Sequence, residues 1–143
     1  MIGNGSNLLA PDGGLERLVI NTSRMDTVTV EGTVVRALAG ATLARAANAA
    51  QRAGLTGLEF AHGIPGTLGG AVFMNAGAYG GELCQVVRSV RAWFPGEGVV
   101  TLGNGDCRFG YRHSVFSEKP GVVLFAELAL TAGDAAAIKA KME

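Results

Sequence analysis

The chain reads as short apolar runs with period-two alternation, broken by one helical segment and one long uncharged segment. Leu15–Asn21 carries Leu18, Val19 and Ile20 and reads as a strand. Thr27–Val30 and Thr33–Leu38 alternate, are rich in β-branched residues and flank Glu31-Gly32, a hairpin pattern. From Leu43 to Ala53 the period changes. Leu43, Ala46, Ala47 and Ala50 fall on one helical face, Thr42 suits the N-cap, and Gly54 suits the stop. That face is mostly alanine, so it predicts close packing. Val86–Phe94 and Val99–Leu102 predict an antiparallel pair around Pro95-Gly96-Glu97-Gly98, with Trp93 as a packing residue. Val122–Leu130 is the last predicted strand. Thr131–Asp134 then opens a helical stretch, Ala135–Glu143, with Ile138 and Met142 expected to lack cover. The pattern predicts an α+β fold of antiparallel strands with helices packed against them.

The segment His62–Gly81 fits neither period. It holds seven glycines in twenty residues and no Asp, Glu, Lys or Arg. Glycine inside a regular element costs roughly 0.5–1 kcal/mol relative to alanine. Such a run is therefore expected where φ must be positive or bare backbone must approach something large. Pro65 suits a first helical position and Thr67–Met74 a short helix, whose free amides would attract an anion. One reading is a cradle for a phosphate-bearing ligand; the other is a loop that packs tightly. A second glycine loop, Gly3-Asn4-Gly5-Ser6-Asn7, offers backbone amides and polar side chains that suit a pyrophosphate, or else frays as a chain end. It has no strand before it and is not GxGxxG, which argues against a Rossmann nucleotide site.

Composition narrows the classes. The 143 residues are 48% hydrophobic and 17% charged, with mean hydropathy +0.29, enough for one domain with a real core. Twelve basic residues balance twelve acidic ones, so charge gives no case for nucleic acid or an anionic membrane. No apolar run approaches a membrane span, and no basic-then-apolar leader is present. Cys84 and Cys107 lack metal spacing and are expected as free thiols. His62 and His113 are too far apart to suggest a metal site, and none is expected. The expected location is cytoplasmic.

Three stretches, in order, carry a resemblance: GNGSNLL at Gly3–Leu9, GIPGTLGGAVFMNAGAYG at Gly63–Gly80, and CRFGYRHSVF at Cys107–Phe116. Together they resemble the flavoprotein family that reduces UDP-N-acetylenolpyruvoylglucosamine in peptidoglycan synthesis. The resemblance implies an FAD-binding fold of the vanillyl-alcohol-oxidase type. Residues 1–133 would form the FAD-binding domain, mainly its second subdomain, with the pyrophosphate loop at 3–9. Residues 134–143 would start a linker helix to a C-terminal substrate domain. The implied reaction passes hydride from NADPH to FAD and then to the enolpyruvyl carbon of UDP-N-acetylglucosamine enolpyruvate, giving UDP-N-acetylmuramate.

The same resemblance implies site residues. FAD would be held by Gly3, Asn4, Gly5, Ser6, Asn7 and Leu8, and by Gly63, Ile64, Pro65, Gly66, Thr67, Gly69, Gly70, Ala71, Asn75 and Gly77. Tyr111, Tyr79 and Asn75 would meet the nucleotide-sugar. Arg112 would stabilise charge at the substrate carboxylate, since a guanidinium is always charged and its fork matches a carboxylate. Asn75 also suits a left-handed helix end, and Ser114 a local structural role. His113 and Ser117 depart from the residues common in the family pattern. The family's proton-donor serine and assisting glutamate match nothing here, so the chain alone is expected to be inactive, with further N- and C-terminal segments as its partners. A stand-alone FAD or nucleotide module and a non-binding structural fragment are the alternatives.

Overall fold

The computed structural model describes residues 1–143. Its centre is a five-stranded sheet, antiparallel throughout, flanked by helices as the pattern predicts. The first hairpin pairs β1 (Val28–Glu31) with β2 (Val34–Leu38), Val30 opposite Val35. Gly32, at φ +59°, makes its turn. Helix α1 (Leu43–Arg52) follows. Thr42 caps it by accepting from the Arg45 amide at 3.1 Å, and Gly54, at φ +67°, lies past its end. Strand β3 (Leu55–Thr56) and a 3-10 turn at Glu59–Ala61 lead to α2 (Leu68–Met74). Two very short strands, β4 (Gly77–Ala78) and β5 (Gly81–Glu82), form a hairpin that the sequence pattern does not predict.

Strand β6 (Val87–Phe94) pairs with β7 (Gly98–Gly103), the second predicted hairpin. After a short α3 (Val115–Glu118), β8 (Val122–Ala129) inserts between β2 and β6, giving the order β1-β2-β8-β6-β7. Val87, Val90, Ala92 and Phe94 of β6 face the core. A register irregularity between Val87 and Ser89 accounts for the three-residue first step. Opposite them lie Leu43, Ala46, Ala47 and Ala50 of α1 and Leu68, Ala71 and Val72 of α2, all buried. The alanine face of α1 lies within the core, as its small residues require. β9 (Thr131–Ala132) pairs with β3, and α4 (Ala135–Met142) starts at Asp134, whose carboxylate accepts from the Ala137 amide.

Three expectations need correction. Leu15–Asn21 forms no strand: residues 15–20 are all exposed, Leu18 88%, and Asn21 makes one parallel bridge to Ile2. The run has strand-forming residues but no neighbouring strand with which to pair. Pro65 lies outside α2, which opens after Thr67. At the far end, Ile138 is 3% exposed and Met142 packs on the core, because α4 folds back against α1 and the 59–61 turn.

Candidate cofactor and substrate site

The glycine-rich segment folds into a short helix, a left-handed exit and a hairpin. Thr67 precedes α2 in extended conformation, and Asn75 ends it at φ 44°, ψ 54°. Four residues on, Tyr79 (φ 52°) and Gly80 (φ 81°) form the β4–β5 turn, both left-handed as in a type I′ hairpin. The stretch 107–116 supplies a second tight turn. The Gly110 and His113 backbones exchange hydrogen bonds at 3.1 and 3.2 Å, with Tyr111 and Arg112 between them and Arg112 at φ 48°. A non-glycine residue in this region costs on the order of 1–3 kcal/mol and persists where its surroundings hold it. Asn75, Tyr79 and Arg112 all border the same cavity.

That cavity has a volume of about 1150 Å³, above the ~300–1,000 Å³ usual for a drug-sized ligand. Its wall brings together every site residue expected from the sequence except Gly63. Loop 3–8 forms one side and the α2 segment the other. Tyr79 and Tyr111, 95% and 93% exposed, stand at the rim. The charged side chains on the wall are Glu82 and Arg112. Arg112 reaches across to loop 3–8, its Nη2 donating to Asn7 Oδ1 at 3.0 Å. Sequence reasoning missed Glu82, Cys84, Phe73, Phe109 and Gly121–Val123 on this wall. The last three come from the start of β8, which only the long-range strand order brings here.

The free backbone amides are not where the helix start suggested. The Leu68 and Gly69 amides of α2 donate to the Ala41 and Ala39 carbonyls, each at 2.8 Å. Of the first turn only the Gly70 amide is left without a protein acceptor. Loop 3–7 is the richer donor, since the amides of Gly3 to Asn7 find no acceptor in the chain. Glycine is required at its start: a Cβ on Gly3 would lie 2.2 Å from Thr67 Oγ1. Gly69 and Gly70 also differ. A Cβ on Gly69 would press Ala39 at 3.1 Å, whereas Gly70 has open space beyond Thr67 Oγ1 at 3.8 Å. Gly69 serves packing and Gly70 faces the cavity.

The remaining polar groups are held by protein partners. Asn75 is 5% exposed and bonds to Glu82, Cys84 and Gly110. Ser114 is fully buried and donates to the Phe73 carbonyl at 2.7 Å, the structural role expected of it. Burial, and then the nearby Glu82 carboxylate, push the Cys84 thiol up, away from a nucleophilic thiolate. Cys84 and Cys107 are both free. No cluster of three or more His, Cys, Asp or Glu side chains is positioned to hold a metal ion. No helix is long and apolar enough to cross a membrane.

Comparison with known proteins places this geometry. A family model described as "FAD binding domain" matches residues 1–103. The chain belongs to the FAD-binding domain family. Over its whole length it is similar to UDP-N-acetylenolpyruvoylglucosamine reductases, 51% identical to that of Limosilactobacillus fermentum and 48% to that of Pediococcus pentosaceus. It spans 48% of each of those proteins, about half their length. Among solved structures, the UDP-N-acetylenolpyruvylglucosamine reductase (MurB) of Thermus caldophilus matches at TM-score 0.84 and 34% identity, over 98% of this chain and 51% of that one. The FAD-binding domain family has FAD as its cofactor, and the residues present fit it. Five free amides in loop 3–7, a bare Gly70 and the uncharged Ile64–Ala71 stretch of the wall suit a pyrophosphate joined to a flat ring system.

Proposed function

We propose that this chain is the FAD-holding part of an NADPH-dependent reductase that converts UDP-N-acetylglucosamine enolpyruvate to UDP-N-acetylmuramate, a cytoplasmic step of peptidoglycan synthesis. What carries the reading is a large neutral cavity with one cationic side chain, Arg112, facing a loop of unpaired amides. FAD, when bound, supplies the hydride chemistry. The chain's own residues bind and orient. Loop 3–7 and the Gly70 amide meet the pyrophosphate, and the Ile64–Ala71 wall meets the ring system. Arg112 meets the substrate carboxylate, where negative charge grows as the enolpyruvyl carbon is reduced. Removing such a stabiliser from a water-excluded site costs on the order of 10²–10³ in rate. Tyr79 and Tyr111 at the rim present rings and hydroxyls to the nucleotide-sugar. Ser114, committed to Phe73, is not the proton donor, and the reading assigns that role to no residue of this chain.

The test uses a reductase of full family length carrying this sequence. Flavin absorbance that survives dialysis is expected. In stopped flow, Arg112→Ala should slow flavin reoxidation by the enolpyruvyl nucleotide about 10²–10³-fold while leaving flavin reduction by NADPH within a few-fold. Equal slowing of both half-reactions would refute the role given to Arg112.

A further inference from the structure

Asn75 has no free hydrogen for a ligand. Its Nδ2 donates to Glu82 Oε2 at 2.6 Å and to the Gly110 carbonyl at 3.1 Å, and its Oδ1 accepts from the Cys84 amide at 2.9 Å. Two acceptors on one side and a donor on the other fix the orientation of the amide. The backbone of Asn75 is fixed as well, as the left-handed end of α2. Gly110, the residue it grips, is the first corner of the Gly110–His113 turn, whose tip is Tyr111-Arg112.

We propose that Asn75 and Glu82 are positioning residues for Arg112: Asn75 holds the turn through the Gly110 carbonyl, and Glu82 holds Asn75. The inference rests on the reading of Arg112 as the group that meets the enolpyruvyl carboxylate. Arg112 is exposed and left-handed, so beyond its bond to Asn7 its aim depends on the turn beneath it. A second side-chain clamp on this turn, His113 Nε2 to Glu118 Oε1 at 2.9 Å, is partly exposed, so water competes for it. Asn75 reaches the turn from inside the protein, where the bond is not screened. Glu82 adds a charge-assisted bond and also accepts from the Gln85 amide, so its carboxylate is itself held.

The experiment uses the full-length holoenzyme. Asn75→Asp keeps the shape but turns a carboxylate oxygen toward the Glu82 carboxylate and the Gly110 carbonyl. Flavin reoxidation by the enolpyruvyl nucleotide should slow roughly 30–100-fold, as expected of a reacting geometry misplaced by about 1 Å. Flavin content and the NADPH half-reaction should change less than about threefold, and the dissociation constant of the enolpyruvyl nucleotide from the oxidised enzyme should rise, on the same ground of lost alignment. Glu82 is exposed, so its variants put folding at less risk than those at buried Asn75. Glu82→Ala should slow reoxidation, and Glu82→Gln, which keeps an acceptor, should recover most of the rate. In the double variant with Arg112→Ala, Asn75→Asp should add little, because it acts through the arginine. Full additivity beside a slow Arg112→Ala enzyme would overturn this inference alone. An Arg112→Ala enzyme as fast as wild type would overturn the reading of Arg112 and this inference with it.

Discussion

Gly3 is the sharpest steric constraint in loop 3–7, the loop proposed to meet the pyrophosphate. A Cβ added there would lie 2.2 Å from Thr67 Oγ1, 3.0 Å from its Cγ2 and 3.1 Å from its Cβ. In Gly3→Ala, then, either the loop lifts or Thr67 turns away. The Thr67 side chain makes no capping bond, but it is buried, and even when turned its Cβ still crowds the new methyl. A hydrogen bond to a charged acceptor is worth roughly 1.5–3 kcal/mol. Losing the alignment of one loop amide should therefore raise the FAD dissociation constant about tenfold to a hundredfold. The assay is quenching of flavin fluorescence on titration into apoenzyme of full family length, with calorimetry as a check on folding. Gly13→Ala, at a position with nothing within 4 Å, is the control. A folded Gly3→Ala protein that binds FAD as tightly as the control would refute the placement of the pyrophosphate on loop 3–7.

Gly69→Ala should lower the melting temperature, since overpacking against Ala39 typically costs about 1–3 kcal/mol; Gly70→Ala should melt no lower than wild type yet bind FAD more weakly, and the reverse pattern would contradict the assignment of the two glycines. Ser114→Ala should cost about 1–3 kcal/mol in denaturant unfolding, because the hydroxyl of fully buried Ser114 partners the Phe73 carbonyl. Burial, then Asp106, push the Cys107 thiol up to about 11. Iodoacetamide at neutral pH should therefore spare Cys107 until the chain is unfolded and label Cys84 slowly, faster as pH rises and thiolate forms; rapid native labelling of Cys107 would contradict its burial.

The hairpins β1–β2 and β6–β7 and helix α1 were legible because their residues alternate or recur with the period of the element and their partners lie nearby in sequence. Leu15–Asn21 misled for the complementary reason. Strand propensity is a preference for a half-buried pleated surface, and this run finds only the Ile2 bridge at its end. The β4–β5 hairpin was hidden because its turn is Tyr79-Gly80, and a tyrosine at positive φ is not a turn signal. In the site, glycine marked the wall, and family resemblance marked Arg112 and Tyr111. Glu82 escaped notice because an exposed glutamate is unremarkable until Asn75 is seen to depend on it. Nor does glycine spacing show which amides stay free: the α2 start looked available until Ala39 and Ala41 claimed it.

The strand order has a consequence for how such a chain is made. Each outer hairpin can pair as soon as its own turn has left the ribosome, but β8 joins them, and it arrives last of the five. Once β6 has emerged and until β8 follows it, β2 and β6 both present unpaired edges, the kind of surface that recruits other strands. The wall formed by Gly121–Val123 does not exist before then either. A chain cut off just before Val122 would therefore hold nearly every residue of the cavity without its β8 wall, with the β2 and β6 edges left open.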